Sequence, residues 1–109
     1  MVLIRTALAT FLTVFLFACG GSDSAPTSNS TDITEAEAQR LYTMKCGLCH
    51  GNDGKLMLSG APDLSSSHLE LNERIALITY GKGKMPPQKD VLTADEIRGI
   101  ARYIETFRK

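Results

Sequence analysis

Residues 46 to 54 read CGLCHGNDG, which places two of the chain's three cysteines and one of its two histidines within five positions. Three chemistries use thiols and an imidazole at this spacing: a thiol-disulfide redox pair, half of a zinc site, and a covalent haem anchor whose histidine binds the iron. The rest of the chain bears on the choice.

A thiol-disulfide pair usually sits where a strand meets a helix in an α/β fold, yet no segment here alternates apolar and polar residues as a strand does. A zinc site needs more ligands, and beyond Cys46, Cys49 and His50 the chain offers His68 but no further thiol near a second ligand cluster. Haem attachment needs only what is present. Cys46 and Cys49 lie on one turn and can add to the two vinyl groups of a haem, and His50, next in line, faces the iron as its proximal ligand.

On both sides of the motif the apolar residues recur with helical spacing. TEAE at 34 to 37 has the form of a capping box, and Ala38, Leu41 and Tyr42 follow on one face that ends at Lys45. TADE at 93 to 96 repeats the signal ahead of a stripe of Ile97, Ile100, Ala101, Ile104 and Phe107. Between them Leu71, Ile75 and Ile78 predict a shorter helix that Gly81 terminates. The domain therefore reads as all-α with no sheet, joined by loops at 51 to 67 and 81 to 92.

With 109 residues, 22% of them charged and a formal charge of zero, the chain holds at most one modest domain and gives no sign of nucleic-acid binding. Its first eighteen residues carry Arg5 and then an apolar run from Ala7 to Ala18, too short for a membrane span but of the length of an export signal. LFAC at 16 to 19 resembles the lipobox of bacterial lipoproteins, which makes Cys19 the lipidated first residue of the mature chain. Phe17 stands where a smaller residue is usual, so cleavage after Ala18 without lipid, or an uncleaved anchor, are alternatives. Without Arg5 the twelve basic residues become eleven against twelve acidic ones, a formal charge of −1.

Residues 19 to 33, from Cys19 through GGSDSAPTSNSTDI, hold little to bury and read as a flexible tether with a reach of about 20 Å. Residues 34 to 109 form the folded domain, 76 residues long, a size at which a core alone is marginal and a cofactor helps.

This domain resembles the small monohaem bacterial c-type cytochromes of the class I fold. CGLCHGNDG is similar to the family's haem-attachment segment with its Gly-x-x-Gly turn, APDL at 61 to 64 to its proline loop, and GKGKMP at 81 to 86 to its distal methionine loop. The resemblance implies three to four helices wrapped around one covalent haem c. It also implies that the carbonyl of Pro62 accepts from the outer nitrogen of His50, and that Met85 is the distal iron ligand. Met44 and Met57 lie too close to the motif to reach the other haem face. His68 is the rival, and a second imidazole would lower the potential that a thioether raises.

In the family the first and last helices cross closely, and Ala38, Tyr42, Ile100 and Tyr103 fit those positions. Glycine is common where Ala38 stands, which predicts a slightly wider crossing here. With both axial positions filled, no site remains for a small-molecule substrate. The implied function is electron transfer between membrane or periplasmic redox partners rather than catalysis. Lys55, Lys82, Lys84 and Lys89 could steer an acidic redox partner toward the haem edge. The alternatives are a haem enzyme or gas sensor with a displaceable distal ligand, and a thiol-disulfide protein if haem is never attached.

Overall fold

A computed structural model describes residues 32–108, and its regular elements are helices and helical turns. Helix α1 runs over Glu35–Lys45, a single helical turn α2 over Gly47–His50, α3 over Leu71–Tyr80 and α4 over Ala94–Glu105. Short 3₁₀ turns at Leu58–Gly60 and Leu64–Ser66 punctuate the long loop after the motif. Among the described residues the one β feature is an isolated bridge between Lys82 and Met85, in keeping with the expected absence of a sheet. No described helix is long and apolar enough to cross a membrane. The export segment 1–18 and Cys19 lie outside the described residues.

The three longer helices start as their sequences direct, with one exception in detail. At α4 the capping box is complete: the Thr93 hydroxyl accepts from the Glu96 N–H at 3.2 Å and the Glu96 carboxylate accepts from the Thr93 N–H at 2.7 Å. At α1 only half of it forms. The Thr34 hydroxyl accepts from the Glu37 N–H, but the Glu37 carboxylate turns outward to pair with Arg40, because a guanidinium one turn along the same face competes for it. Helix α3 begins with the Glu73 carboxylate accepting from the Glu70 N–H at 2.9 Å and ends at Gly81, as the spacing predicted.

The core lies where α1 and α3 pack on α4. Leu41, Tyr42, Ile78, Ile97, Ile100, Ala101 and Ile104 are buried together with Leu92, which enters from the loop before α4. Complete burial of a side chain such as Ile100 contributes about 1.5–3 kcal/mol. At the end of the α1–α4 contact, Tyr42, Tyr103 and Phe107 form a triangle of rings with centroids 5.1–5.4 Å apart, tilted or edge to face. Such pairs add about 0.5–1.5 kcal/mol beyond the area they bury.

The small residue of the crossing stands on α4 as well as on α1. A Cβ at Gly99 would meet the Ala38 Cβ at an ordinary 3.6 Å but would collide with the Ile33 Cγ1. Ile33 thus packs over Gly99, and Asp32 beside it pairs with Arg102 at 2.8 Å and Arg98 at 3.2 Å. Both residues belong by packing to the folded unit, although composition grouped them with the tether. Composition misses them because one isoleucine and one aspartate in a polar run carry no periodic signal.

Candidate haem-binding site

The motif is built as a continuation of α1. The Cys46 N–H donates to the Tyr42 carbonyl at 2.8 Å and so completes α1, while the Cys46 carbonyl accepts from the N–H groups of Cys49 and His50 at 3.2 and 3.0 Å and opens α2. His50 is thereby turned inward and is only 7% exposed. Its Nδ1 lies 3.3 Å from the Pro62 carbonyl oxygen. A carbonyl can only accept, so this contact places the proton on Nδ1 and leaves Nε2 with a free lone pair, the form in which imidazole binds a metal.

Two further contacts hold the chain after His50. The Tyr42 hydroxyl, on a ring with no exposed surface, donates to the Gly51 carbonyl at 2.7 Å, and burial pushes its pKa up, so it remains a donor. Gly54 is buried with φ +78°, and a Cβ there would come within 2.9 Å of the Phe107 ring and 3.0 Å of the Leu64 Cβ. Glycine lets the loop turn back tightly under the aromatic triangle, and the Leu64 N–H then donates to the Gly54 carbonyl at 2.8 Å. The Asp63 carboxylate accepts from the Ser65 hydroxyl and N–H at 2.7 and 2.8 Å. These bonds lower its pKa and fix the turn that follows Pro62.

Met85 comes from a different construction. Lys82 and Met85 exchange both backbone hydrogen bonds, at 3.1 and 3.0 Å, and the Gln88 N–H donates to the Ile78 carbonyl at the end of α3. Gly81 has φ +71°, and a Cβ on it would stand 2.5 Å from the Met85 carbonyl oxygen and 2.7 Å from the Pro87 nitrogen. The loop can close on α3 only because that atom is missing. Met85 is half-buried against the core.

Cys46, His50, Pro62 and Met85 line one cleft of about 360 Å³, with Leu77, Ile78 and Ile104 among its apolar wall residues. A thiol, an imidazole and a thioether meeting in an apolar cleft are a donor set that fits a covalently held haem. Cys49 is exposed and lies outside the lining. His68 is exposed too, although its neighbours Ser67 and Leu69 line the cleft, and Met44 and Met57 are both more than half exposed. Of the four distal candidates only Met85 shares the cleft with His50.

The competing chemistries fare less well. Burial, and then the neighbouring Cys49, push the Cys46 thiol up to about 11. Little of it is thiolate at neutral pH, against what thiol-disulfide exchange requires. No group of three or more His, Cys, Asp or Glu side chains able to hold a metal ion occurs among the described residues. One cleft residue carries no sequence signal: Arg74 of α3 is 4% exposed and lines the same cleft.

Known proteins place this arrangement. Residues 34–104 match the family model described as cytochrome C oxidase, cbb3-type, subunit III. The chain belongs to the class I c-type cytochromes. Cytochrome c-551 of Bacillus subtilis is 31% identical to this cytochrome over 99 residues, which cover 85% of each chain. Cytochrome c6 of Rippkaea orientalis is 35% identical over 75 residues, 63% of this chain and 67% of that one. Among solved structures, the KustC0563 c-type cytochrome superposes with a TM-score of 0.61 at 26% identity, over 66% of this chain and 98% of the other. Cytochrome c6 from the diatom Phaeodactylum tricornutum shares the fold with a TM-score of 0.54, 21% identity and 68% and 93% coverage. The cytochrome is thus an electron-transfer haem protein with covalent haem c as its cofactor.

Proposed function

We propose that this cytochrome is a single-electron carrier rather than an enzyme, in which Cys46 and Cys49 hold the haem by thioethers and His50 and Met85 are the axial ligands. The observation that carries the assignment is the shared cleft: His50, with Nδ1 at the Pro62 carbonyl, and Met85 line it together, while His68 does not. Haem c supplies a reversible Fe(III)/Fe(II) couple. The chain's part is to hold both axial groups from ordered segments, which limits rearrangement between the two oxidation states, and to surround them with apolar walls. A thioether ligand and burial both favour the less charged ferrous centre and predict a fairly positive potential.

Redox proteins are the partners. Lys82, Lys84 and Lys89 are exposed around the Met85 loop and Lys55 after the motif, which suits an acidic docking surface whose attraction fades as salt rises. Residues 1–18 act as an export signal, and Cys19 carries a lipid that keeps the domain at a membrane facing the periplasm. This fits covalent haem attachment, which in bacteria takes place outside the cytoplasm.

The test is an absorption spectrum of oxidised and reduced holoprotein, with covalent haem checked on a denaturing gel and carbon monoxide added last. Covalent haem, a methionine-iron charge-transfer band and no gas binding are the expected result. Prompt gas binding would replace the carrier with an enzyme or sensor. Absence of covalent haem would return Cys46 and Cys49 to thiol chemistry. Lipidation is read separately, as the mass of the mature N-terminal peptide.

A further inference from the structure

Among the described residues seven large apolar side chains are exposed, and five of them, Met44, Leu48, Leu56, Met57 and Leu58, belong to the segments around α2. Each is between 46% and 78% exposed. Met44 and Leu48 stand four residues apart on the helical run through the motif. The Leu56 N–H donates to the His50 carbonyl at 3.0 Å, and the 3₁₀ turn Leu58–Gly60 packs against α2. Exposed apolar residues scattered singly need no explanation, but a cluster of this kind marks an interaction site.

The centre of the cluster is the tip of a loop, where every residue from Lys55 to Gly60 is exposed. Met57 and Ser59 adopt left-handed φ of +54° and +57°, which residues other than glycine rarely take, and Gly60 follows at +85°. A Cβ on Gly60 would meet nothing within 4 Å, so the outer side of the tip is open. Three successive apolar side chains on such a tip suit a medium that moulds around them better than a rigid preformed surface. The charges beside them point the same way. Lys45 and Lys55 are exposed and form no salt bridge among the described residues. Arg40, whose Nη1 rests 3.3 Å from the Met44 sulfur, is balanced by Glu37, and exposed Asp53 offsets one lysine. One net positive charge remains, on lysines whose stems can lie along apolar neighbours.

We propose that Leu56, Met57 and Leu58, with Met44 and Leu48 beside them, dip into the apolar edge of a lipid bilayer while Lys45 and Lys55 meet its anionic headgroups. This rests on the lipid-anchor reading of Cys19. The tether enters the domain at Asp32, which Arg98 and Arg102 hold, and the patch begins at Met44, near the far end of α1. The 11 residues of α1 span about 16 Å, and the tether reaches about 20 Å. An anchored domain can therefore lie with α1 along the membrane and rest on its tether and its tip together, each attachment raising the effective concentration of the other. The Met85 loop, with Lys82, Lys84 and Lys89, takes no part and is left to the redox partner.

The experiment is hydroxyl-radical labelling, by radiolysis of water, of the lipidated holoprotein on vesicles of phosphatidylethanolamine and phosphatidylglycerol, compared with Cys19→Ser holoprotein free in buffer. Peptide masses read each site, and Tyr80 and Val91, the two remaining exposed apolar side chains, are the internal references. Labelling of Met57 relative to these two is expected to fall about threefold or more on the vesicles. It should return toward the free value in the lipidated double variant Leu56→Ser, Leu58→Ser. An unchanged relative labelling overturns the proposal and leaves the patch to a protein partner. Protection that survives in the double variant overturns it too, and so does protection that grows with concentration in the lipid-free chain, which puts a second copy on the patch. A mature chain whose N-terminal mass shows no lipid refutes the anchor reading instead. Coupling Cys19 to a maleimide-bearing lipid then restores the comparison, and the same criterion decides.

Discussion

His50 and Met85 reach the same cleft from segments built in different ways. The histidine segment is woven into the core: α2 continues α1, the Tyr42 hydroxyl ties down Gly51, Gly54 packs under Phe107, and the Pro62 carbonyl meets the imidazole. The methionine segment is a loop closed by two backbone hydrogen bonds between Lys82 and Met85, one glycine, and two bonds from Gln88 and Lys89 back to α3. Contacts with the aromatic triangle make displacement of His50 a matter of disturbing the domain's packing, whereas Met85 can be displaced at the cost of a local opening. The difference teaches which of the two proposed axial ligands should yield first.

The comparison breaks most visibly at the histidine. His50→Ala should fail to give a stable, normally ligated holoprotein, measured as haem staining on a denaturing gel together with the absorption spectrum; a normal product would remove His50 as proximal ligand. Met85→Ala should act more narrowly, keeping covalent haem while opening the iron to carbon monoxide and lowering the potential. If spectrum and potential stay unchanged, Met85 is not the ligand.

Gly81→Ala sharpens the contrast without touching either proposed ligand. The added Cβ cannot fit 2.5 Å from the Met85 carbonyl oxygen, so the loop must shift. Partial loss of the methionine-iron band is expected with a stability loss of about 1–3 kcal/mol in chemical denaturation. An intact band at wild-type stability would mean that the loop does not depend on that glycine. Tyr42→Phe, on the histidine side, removes the hydroxyl and leaves the Gly51 carbonyl without its donor. A loss of about 1 kcal/mol with an unaltered ligand spectrum is expected; loss of His50 ligation would show the histidine segment to be less secure than its packing implies.

The smallest effect belongs to Asp32→Asn. Asp32 is partly exposed and pairs with arginines that are themselves a third to a half exposed, so its removal should change thermal stability less than any substitution above and leave the iron spectrum alone. Protease access to the chain at residues 32–34 is the sensitive readout, and it should rise.

Much of this was legible in the chain because it is local. Thr93 and Glu96 are three residues apart, so the capping box of α4 forms from sequence alone, and Ile97, Ile100, Ala101 and Ile104 share a face because the helix repeat puts them there. The motif is local too: Cys46, Cys49 and His50 lie within one turn, and no tertiary contact is needed to bring them together. Met85, by contrast, could be chosen over His68 from the sequence only by resemblance, and the fold supports that choice through which of the two lines the cleft.

What the tertiary structure alone decided involves partners distant in sequence. Ile33 settles over Gly99, and Arg74 leaves an unremarkable place in a helix to become a buried charge between Leu69, Ala101 and Glu105. Periodicity marks where apolar residues must go, because water enforces that pattern at every turn. It is silent about a charged side chain whose burial depends on three acceptors supplied by other segments, since those acceptors meet only after the helices have packed.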